Sequence, residues 1–197
     1  MRWGWGESEA DALNVSRNLK RAGGLPKRVN SFLMRHLALF VLLLASCPLL
    51  DSQVSRPLVD RLVVYKSERK LVLFFRREKI RSYKIALGGD PVGPKVRQGD
   101  HKTPEGIYTL DSRNPNSHFY KAFHISYPNS NDAAAAKRLG VNPGGDIMLH
   151  GLPKEYAWVG KAHTLHDWTD GCIAVTNEEM DEIWKVVKVG TPIEIKP

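Results

Sequence analysis

The stretch from Asp167 to Val175, DWTDGCIAV, places a cysteine between a polar turn and a short apolar strand. Gly171 gives the backbone the freedom to turn tightly directly before Cys172. The amide groups of Gly171 and Cys172 would then lie side by side near the sulfur, where they could stabilise an oxyanion. The segment therefore predicts a tight turn that presents a thiol at the start of a strand.

The regions around this turn show short apolar runs parted by charged or polar turns, a pattern that is typical of β-strands. Strands are expected near 61–66, 70–75 and 80–87 as a meander, and then at 107–111, 119–126, 146–149 and 191–197. The polar residues 112–117 are expected to form a turn. The glycine- and proline-rich segment 88–106 predicts a long loop, which could form one wall of a cleft.

Two helices are expected among these strands. The first is expected to begin at Asp132 as N-cap and to end at Gly140. The second begins at a capping box formed by Thr176 and Glu179, and Gly190 is expected to terminate it. Because strands outnumber helices, the fold class is expected to be mostly β with a few helices (α+β), arranged as a single-domain sandwich or barrel.

Residues 34–47, MRHLALFVLLLASC, have a short basic start, an apolar run and small residues at the end. The run of about ten apolar residues suits a signal peptide and is shorter than the roughly twenty needed to span a bilayer. We therefore expect an exported protein of the periplasm or cell envelope, with no transmembrane helix in the mature chain. The four residues that end at Cys47 resemble the lipobox of bacterial lipoproteins, which predicts lipidation and a possible lipid anchor there; ordinary cleavage nearby is the alternative.

The remaining domain boundaries follow from this assignment. Residues 1–33 are expected to be a non-native or disordered extension, 48–59 a linker and 60–197 the folded domain. The formal charge is +8 for all 197 residues and falls to +4 after Cys47. Since the remaining charges are mixed in sign, the sequence does not favour a nucleic-acid partner.

Cys172 has no partner for an internal disulfide if Cys47 carries lipid, and an unpaired thiol in an oxidising compartment requires an explanation. A thiol becomes a nucleophile most simply through a nearby imidazole. Among His124, His150, His163 and His166, we favour His150, because it ends an apolar strand 22 residues before the cysteine. Two alternatives are a buried structural cysteine and a zinc site formed by His150, His163, His166 and Cys172.

The pair His150-Gly151, the segment DWTDGCIAV and the upstream GDHKTPEGIYTL together resemble the catalytic domain of YkuD-type L,D-transpeptidases. The resemblance covers about residues 60–197 and is greatest to the murein transpeptidase-like (YafK-like) branch. It implies a β-rich sandwich or barrel, a cysteine-dependent acyltransferase, peptidoglycan stem peptides as partners, and neither a cofactor nor a metal.

The family signature can be carried over by position. The resemblance assigns His150 as general base, Gly171 and Cys172 as the glycine and nucleophile of the signature, and Thr169 as its hydroxyl residue. Asp170 stands where the signature has a second histidine, and Ala174 replaces its Asn or Arg. A carboxylate at 170 would disfavour the thiolate unless it orients His150, His163 or His166.

The resemblance also implies a mechanism. Cys172 would attack a stem tetrapeptide, expel D-alanine and pass the acyl group to an amine. With water as acceptor the protein would instead be an L,D-carboxypeptidase or amidase, and a non-catalytic peptidoglycan-binding module is a further alternative. The residues expected to bind substrate are Thr169, Asp170, Gly151, Trp168, Asn114, Ser117, Phe119 and Tyr120.

Overall fold

The computed structural model describes residues 59–197. The expected extension at 1–33, the signal peptide at 34–47, Cys47 and all but the last residue of the linker lie outside the described residues. Within 59–197, no helix is long and apolar enough to cross a membrane.

Strands dominate the described part of the chain, in agreement with the expected fold class. They are β1 (Arg61–Tyr65), β2 (Lys70–Phe75), β3 (Glu78–Lys84), β4 (Gly106–Ser117), β5 (Tyr120–Ile125), β6 (Met148–His150), β7 (Ile173–Ala174) and β8 (Pro192–Lys196). The helices are α1 (Ser130–Arg138) and α2 (Asn177–Val186), and Lys154–Leu165 forms two short 3-10 turns that meet at Gly160. The strands make one sheet in the order β3-β2-β1-β8-β4-β5-β6-β7.

The sheet is curled so that its two ends approach each other. β1, β2 and β3 form the expected antiparallel meander, and β8 returns to lie parallel to β1. After β3 the chain crosses to the other end of the sheet, where Ala86 and Ala174 exchange two backbone hydrogen bonds of 3.0 and 2.9 Å. The expected third strand at 80–87 is therefore two pieces: β3 itself, and a segment that pairs with β7 next to the cysteine.

The hairpin of β4 and β5 differs from the sequence prediction. Residues 112–117 were expected to be a turn, but β4 continues through them, and the connection is made by His118 and Phe119. The polar composition arises because residues 111–116 are exposed while their backbone pairs with β5. The polar pattern therefore marked an exposed strand and not a turn.

Both helices were expected, but their ends are corrected. The N-cap of α1 is Asn129, whose side chain accepts from the amides of Asn131 and Asp132; Asp132 is the third helical residue and completes a capping box. The capping box of α2 is formed by Thr176 and Glu179, as expected. However, α2 ends at Val186, and Gly190 lies in the following turn with φ of +92°.

The core fills the inside of the curled sheet, beneath α2. Its largest fully buried side chains include Phe123, Leu71, Leu110 and Met180. Val59, expected to end the linker, is only 6% exposed and packs in this core, so the folded domain begins at or before it.

Candidate active site

A hydrogen-bonded turn holds Cys172 directly before β7. The hydroxyl of Thr169 accepts from the Gly171 amide at 3.2 Å and donates to the carbonyl oxygen of Cys172 at 2.8 Å. Gly171 has φ of +125°, and a Cβ there would lie 2.6 Å from the carbonyl oxygen of Lys102. Only glycine fits this position without strain.

The same turn corrects the expectation that two free amides lie beside the sulfur. The Gly171 amide is directed to the Thr169 hydroxyl. The Cys172 amide has no hydrogen-bond partner among residues 59–197. Of the two amides, the one available to an oxyanion is therefore that of Cys172.

Strand pairing brings His150 close to this turn. β6 and β7 run parallel, with His150 in register with Ala174, and the Val175 amide donates to the His150 carbonyl at 3.0 Å. Cys172 lies immediately before β7, and the His150 and Cys172 side chains line the same cavity. The 21 residues between them thus form the loop out and back that the sequence suggested.

The imidazole of His150 is buried and fixed in orientation. Nδ1 of the ring lies 2.6 Å from the carbonyl oxygen of Gly151, and the residue is 3% exposed. Its ring packs on Phe119 and Trp168, with centroid distances of 4.6 and 5.9 Å. Because a carbonyl can only accept, Nδ1 carries the proton and Nε2 is the ring nitrogen that can accept one. Burial lowers the pKa of His150 to about 4, against the opposing effect of the Gly151 carbonyl.

The thiol of Cys172 is also biased toward its neutral form. Sγ donates to the carbonyl oxygen of Asp146, at 3.6 Å. Burial raises the pKa of the thiol, and the carboxylates of Asp170 and Asp146 act in the same direction, while the Met148 amide and Lys95 oppose them. The resting pair is therefore a thiol and a neutral imidazole, and not a thiolate and an imidazolium.

The cavity in front of Cys172 has a volume of about 640 Å³. Its lining residues come from four parts of the chain: Lys95, Gln98, Gly99 and His101 from the long loop, Phe119, residues 144–147 with His150, and Trp168, Thr169 and Asp170 beside Cys172. The expectation that the segment 88–106 forms a wall of a cleft is thus confirmed.

A buried lysine on the β1–β2 turn holds this loop in place. The Lys66 ammonium donates to the carbonyl oxygens of Gly93 at 2.6 Å and Thr103 at 2.9 Å, and to the carboxylate of Glu105 at 2.8 Å. Burial lowers the pKa of Lys66, against the opposing effect of Glu105. These contacts tie both ends of the loop to the sheet.

A second buried ion pair lies within the loop itself. Lys95 donates to Asp100 at 2.8 Å, and both side chains are at most 7% exposed. Asp100 also accepts from the amides of Val96, Arg97 and Lys102, and these donors lower its pKa to about 2 despite its burial. The pair thus fixes the part of the loop from which Lys95 lines the cavity.

Asp170 pairs with a histidine that the sequence analysis did not consider. Its Oδ1 lies 2.9 Å from Nδ1 of His101, and both residues line the cavity. The sequence analysis named His150, His163 and His166 as rings that it could orient, and the structure shows a hydrogen bond to none of these. A contact across 69 residues leaves no local signal in the sequence, although the loop that carries His101 could be recognised from its glycines and prolines.

The other expected substrate-binding residues fall into two groups. Phe119, Trp168 and Thr169 line the cavity. Asn114, Ser117 and Tyr120 do not. The Asn114 side chain accepts from an amide within β4, the Ser117 hydroxyl accepts from the Phe119 amide, and the Tyr120 hydroxyl donates to Asp181. Gly151 lies behind His150, where its carbonyl accepts from the ring and a Cβ would meet Asn177 at 2.4 Å.

A second, apolar cavity of about 550 Å³ adjoins the first one, and Phe119 and Trp168 line both. His163 lines this second cavity, and both of its ring nitrogens are buried without a hydrogen-bond partner. Burial lowers its pKa. Among residues 59–197, no group of histidine, cysteine and carboxylate side chains could hold a metal ion, so the zinc alternative is not supported.

Comparison with known proteins gives consistent matches for this domain. A family model described as L,D-transpeptidase catalytic domain (YkuD) matches residues 59–195. A protein of Escherichia coli strain K12 named "Putative L,D-transpeptidase YafK" is 34% identical over 131 residues, which cover 63% of this chain and 45% of that protein. The chain thus spans less than half the length of the curated relatives that it matches.

Two solved structures are similar in sequence as well as in fold. Bd1075 of Bdellovibrio bacteriovorus is 31% identical with a TM-score of 0.50, and the match covers 71% of this chain and 48% of that one. Pgp2 of Campylobacter jejuni, a helical cell shape determining protein, is 27% identical with a TM-score of 0.56, over 71% of this chain and 48% of that one.

Proposed function

Because this chain belongs to the family of L,D-transpeptidase catalytic domains, we propose that it forms an acyl-enzyme on Cys172 from a peptidoglycan stem tetrapeptide and transfers the acyl group to an amine. The observation that carries the proposal is the shared cavity of Cys172 and His150. The fixed orientation of the His150 ring, with Nε2 left to accept a proton, supports the role of general base.

The first half-reaction begins with a neutral pair. As Sγ attacks the carbonyl carbon of the L-centre of the diaminoacyl residue, the thiol proton passes to Nε2 of His150. A tetrahedral oxyanion forms, and the free amide of Cys172 is the donor available to it; one such donor contributes about 3 kcal/mol to catalysis in comparable sites. The C–N bond then breaks, and His150 returns the proton to the departing amine of D-alanine, which leaves a thioester on Cys172.

The second half-reaction transfers the acyl group. An amine of a second stem peptide attacks the thioester, the C–S bond breaks, and a 3-3 cross-link results. Water in the same place would give hydrolysis, as in an L,D-carboxypeptidase or amidase.

The location follows from the same proposal. Because peptidoglycan lies in the cell envelope, we propose export to the periplasm or cell envelope through residues 34–47, with lipidation at Cys47 or, as the alternative, ordinary signal-peptide cleavage nearby. Labelled palmitate should be incorporated by the wild type and not by Cys47→Ser. If both proteins are processed and neither carries label, lipidation is excluded and ordinary signal-peptide cleavage is favoured.

The decisive experiment is incubation of the purified protein with muropeptides of defined structure, followed by mass spectrometry of products and of intact protein. We expect a thioester adduct on Cys172, released D-alanine and a cross-linked dimer, all absent in Cys172→Ala. A tripeptide without dimer would identify a carboxypeptidase, and release of a stem-linked amine an amidase. Binding without any adduct or product would identify a non-catalytic module and overturn the proposal.

A further inference from the structure

A second imidazole, that of His101, lines the cavity of Cys172. Its Nδ1 lies 2.9 Å from Oδ1 of Asp170, and its Nε2 has no hydrogen-bond partner among residues 59–197. A carboxylate that accepts from Nδ1–H leaves the lone pair of the neutral ring on Nε2. His101 and Asp170 thus form an oriented pair that offers a free proton acceptor to the cavity.

The backbone of His101 is fixed next to the nucleophile turn. A Cβ on Gly88 would lie 2.1 Å from the His101 carbonyl oxygen and 3.0 Å from Cα of Gly171, so both segments pack against this glycine. The Asp90 amide donates to the same carbonyl at 3.1 Å. His101 has φ of +53°, a left-handed conformation that is uncommon for non-glycine residues but is adopted by histidine more often than by most.

The two imidazoles of the cavity differ in access to solvent. His150 is 3% exposed, whereas the His101 side chain is 58% exposed. The thiol proton is released inside the site, which suits the buried ring. An acceptor must enter from solvent after D-alanine has left, and it carries its own proton, which suits an exposed base at the cavity mouth.

We propose that His101, oriented by Asp170, is the general base of the second half-reaction, in which the acceptor attacks the thioester on Cys172. This step rests on the proposed function. An N–H bond of the acceptor amine, or an O–H bond of water, breaks as its proton moves to Nε2 of His101. The new bond to the acyl carbon forms, the C–S bond breaks and its electron pair returns to Sγ. The proton on His101 is then lost to solvent, and Sγ regains a proton from solvent.

The test separates the two half-reactions. Protein is mixed with a stem tetrapeptide and an amine acceptor, quenched in acid at successive times and examined by intact-mass measurement for the thioester. The first variant is His101→Asn, because asparagine tolerates a positive φ and cannot act as a base. The second is His101→Gly, because glycine also tolerates a positive φ and leaves space for added imidazole. The thioester should form within about twofold of the wild-type rate and should be consumed at least about tenfold more slowly.

Added imidazole should restore consumption in His101→Gly, which a merely structural role would not explain. Asp170→Asn should slow consumption and not formation, as expected for a positioning residue. The matched control is His124→Asn, since His124 forms the same kind of pair with Asp111 at 2.7 Å but does not line the cavity. It should leave both rates unchanged.

Two results overturn the inference while leaving the proposed function intact: consumption at the wild-type rate in both His101 variants, or equal slowing of formation and consumption without rescue by imidazole. A wild-type protein that never forms the thioester overturns the proposed function itself. Circular dichroism and thermal melting of each variant establish that the compared proteins are folded.

Discussion

The thiol of Cys172 donates to the carbonyl oxygen of Asp146, at 3.6 Å, and no hydrogen bond joins it to the His150 ring. The thiol therefore rests in its neutral form, without a hydrogen bond to its proposed base. To react, it must give up its hydrogen bond to the Asp146 carbonyl and lose its proton to His150 as the substrate carbonyl approaches. The activation free energy therefore includes the cost of moving the proton from the thiol to the imidazole, and this transfer occurs only when substrate is bound in the cavity.

This arrangement gives a specific pH dependence for alkylation of Cys172. Burial and the nearby carboxylates raise the pKa of the thiol, so the rate with iodoacetamide should reach half its maximum above the ordinary thiol value of about 8.5. Asp170→Asn should lower this midpoint, because it removes one of those charges. The rate should be followed by peptide mass in a Cys47→Ser background, with Asp111→Asn as the control. A midpoint below about 7 would indicate a thiolate–imidazolium pair and would contradict the neutral pair.

The buried His150 ring gives a second pH dependence, that of stability. Its pKa is about 4 in the folded protein and about 6.5 when unfolded, so below pH 6.5 the unfolded state binds more protons. The stability from its neutral form is present above pH 6.5 and is lost as the pH falls through 4. We expect the free energy of unfolding in urea to fall by about 3 kcal/mol over this range. His150→Asn should reduce the change of stability with pH, whereas His166→Asn, at an exposed residue, should not. Identical pH dependence of stability in the wild type and both variants would contradict the assignment of this effect to His150.

The parts of this structure that depend on local sequence patterns could be predicted from the sequence. Short apolar runs between charged turns placed β1 and β2, and the three central residues of β1 and Leu71, Val72 and Leu73 of β2 are buried. The turn DGC could be recognised because Gly171 needs a backbone conformation that only glycine adopts easily. His150 could be chosen because it ends a strand, and parallel pairing with β7 brought it to Cys172.

The parts that were missed depend on contacts between distant segments. The polar half of β4 was taken for a turn, because pairing with β5 stabilises an exposed strand whose residues have no apolar face. The same limit applies to His101 and Asp170, and to Lys66, whose three acceptors lie 27 to 39 residues away. From the sequence alone, a lysine on a turn is predicted to be exposed, because the loop that covers it lies far away along the chain.

Gly171 should be intolerant of a side chain. In Gly171→Ala the new Cβ would meet the Lys102 carbonyl at 2.6 Å, in a backbone conformation with φ of +125°. We expect the free energy of unfolding to fall by about 2 kcal/mol or more and alkylation of Cys172 to change in rate, because the turn must shift. Gly89→Ala is the matched control, since nothing lies within 4 Å of its Cβ. Equal stability of both variants would show that the turn is more adaptable than the structure indicates.

Removal of the Lys66 ammonium, which holds the loop 88–106 from the β1–β2 turn, should lower stability strongly. Lys66→Met would leave a half-buried carboxylate and two carbonyls without their donor, and we expect a loss of about 3 kcal/mol in the free energy of unfolding. Lys70→Met removes a pair of similar length, 2.7 Å to Glu68, from the surface and should change stability by less than about 1 kcal/mol. Urea unfolding measures both. Hydrogen exchange should also show faster exchange in 88–106 for Lys66→Met alone, and unaltered exchange there would remove Lys66 from its role as the anchor of the loop.

His163 is the described residue at which a substitution should stabilise the domain. Its two ring nitrogens are buried without partners, so the folded state bears the cost of their lost hydration. His163→Leu removes both polar atoms while keeping much of the volume, and we expect the free energy of unfolding to rise by about 1 kcal/mol at pH 7.

At pH 5 the gain in stability from His163→Leu should be larger, because burial lowers the pKa of His163 and the unfolded wild type binds a proton that the folded one does not. His163→Ala serves as the control, since it removes the same atoms but leaves a cavity and should be less stable than the leucine variant. A leucine variant less stable than the wild type at both pH values would mean that the ring nitrogens have a partner in solution, such as a buried water.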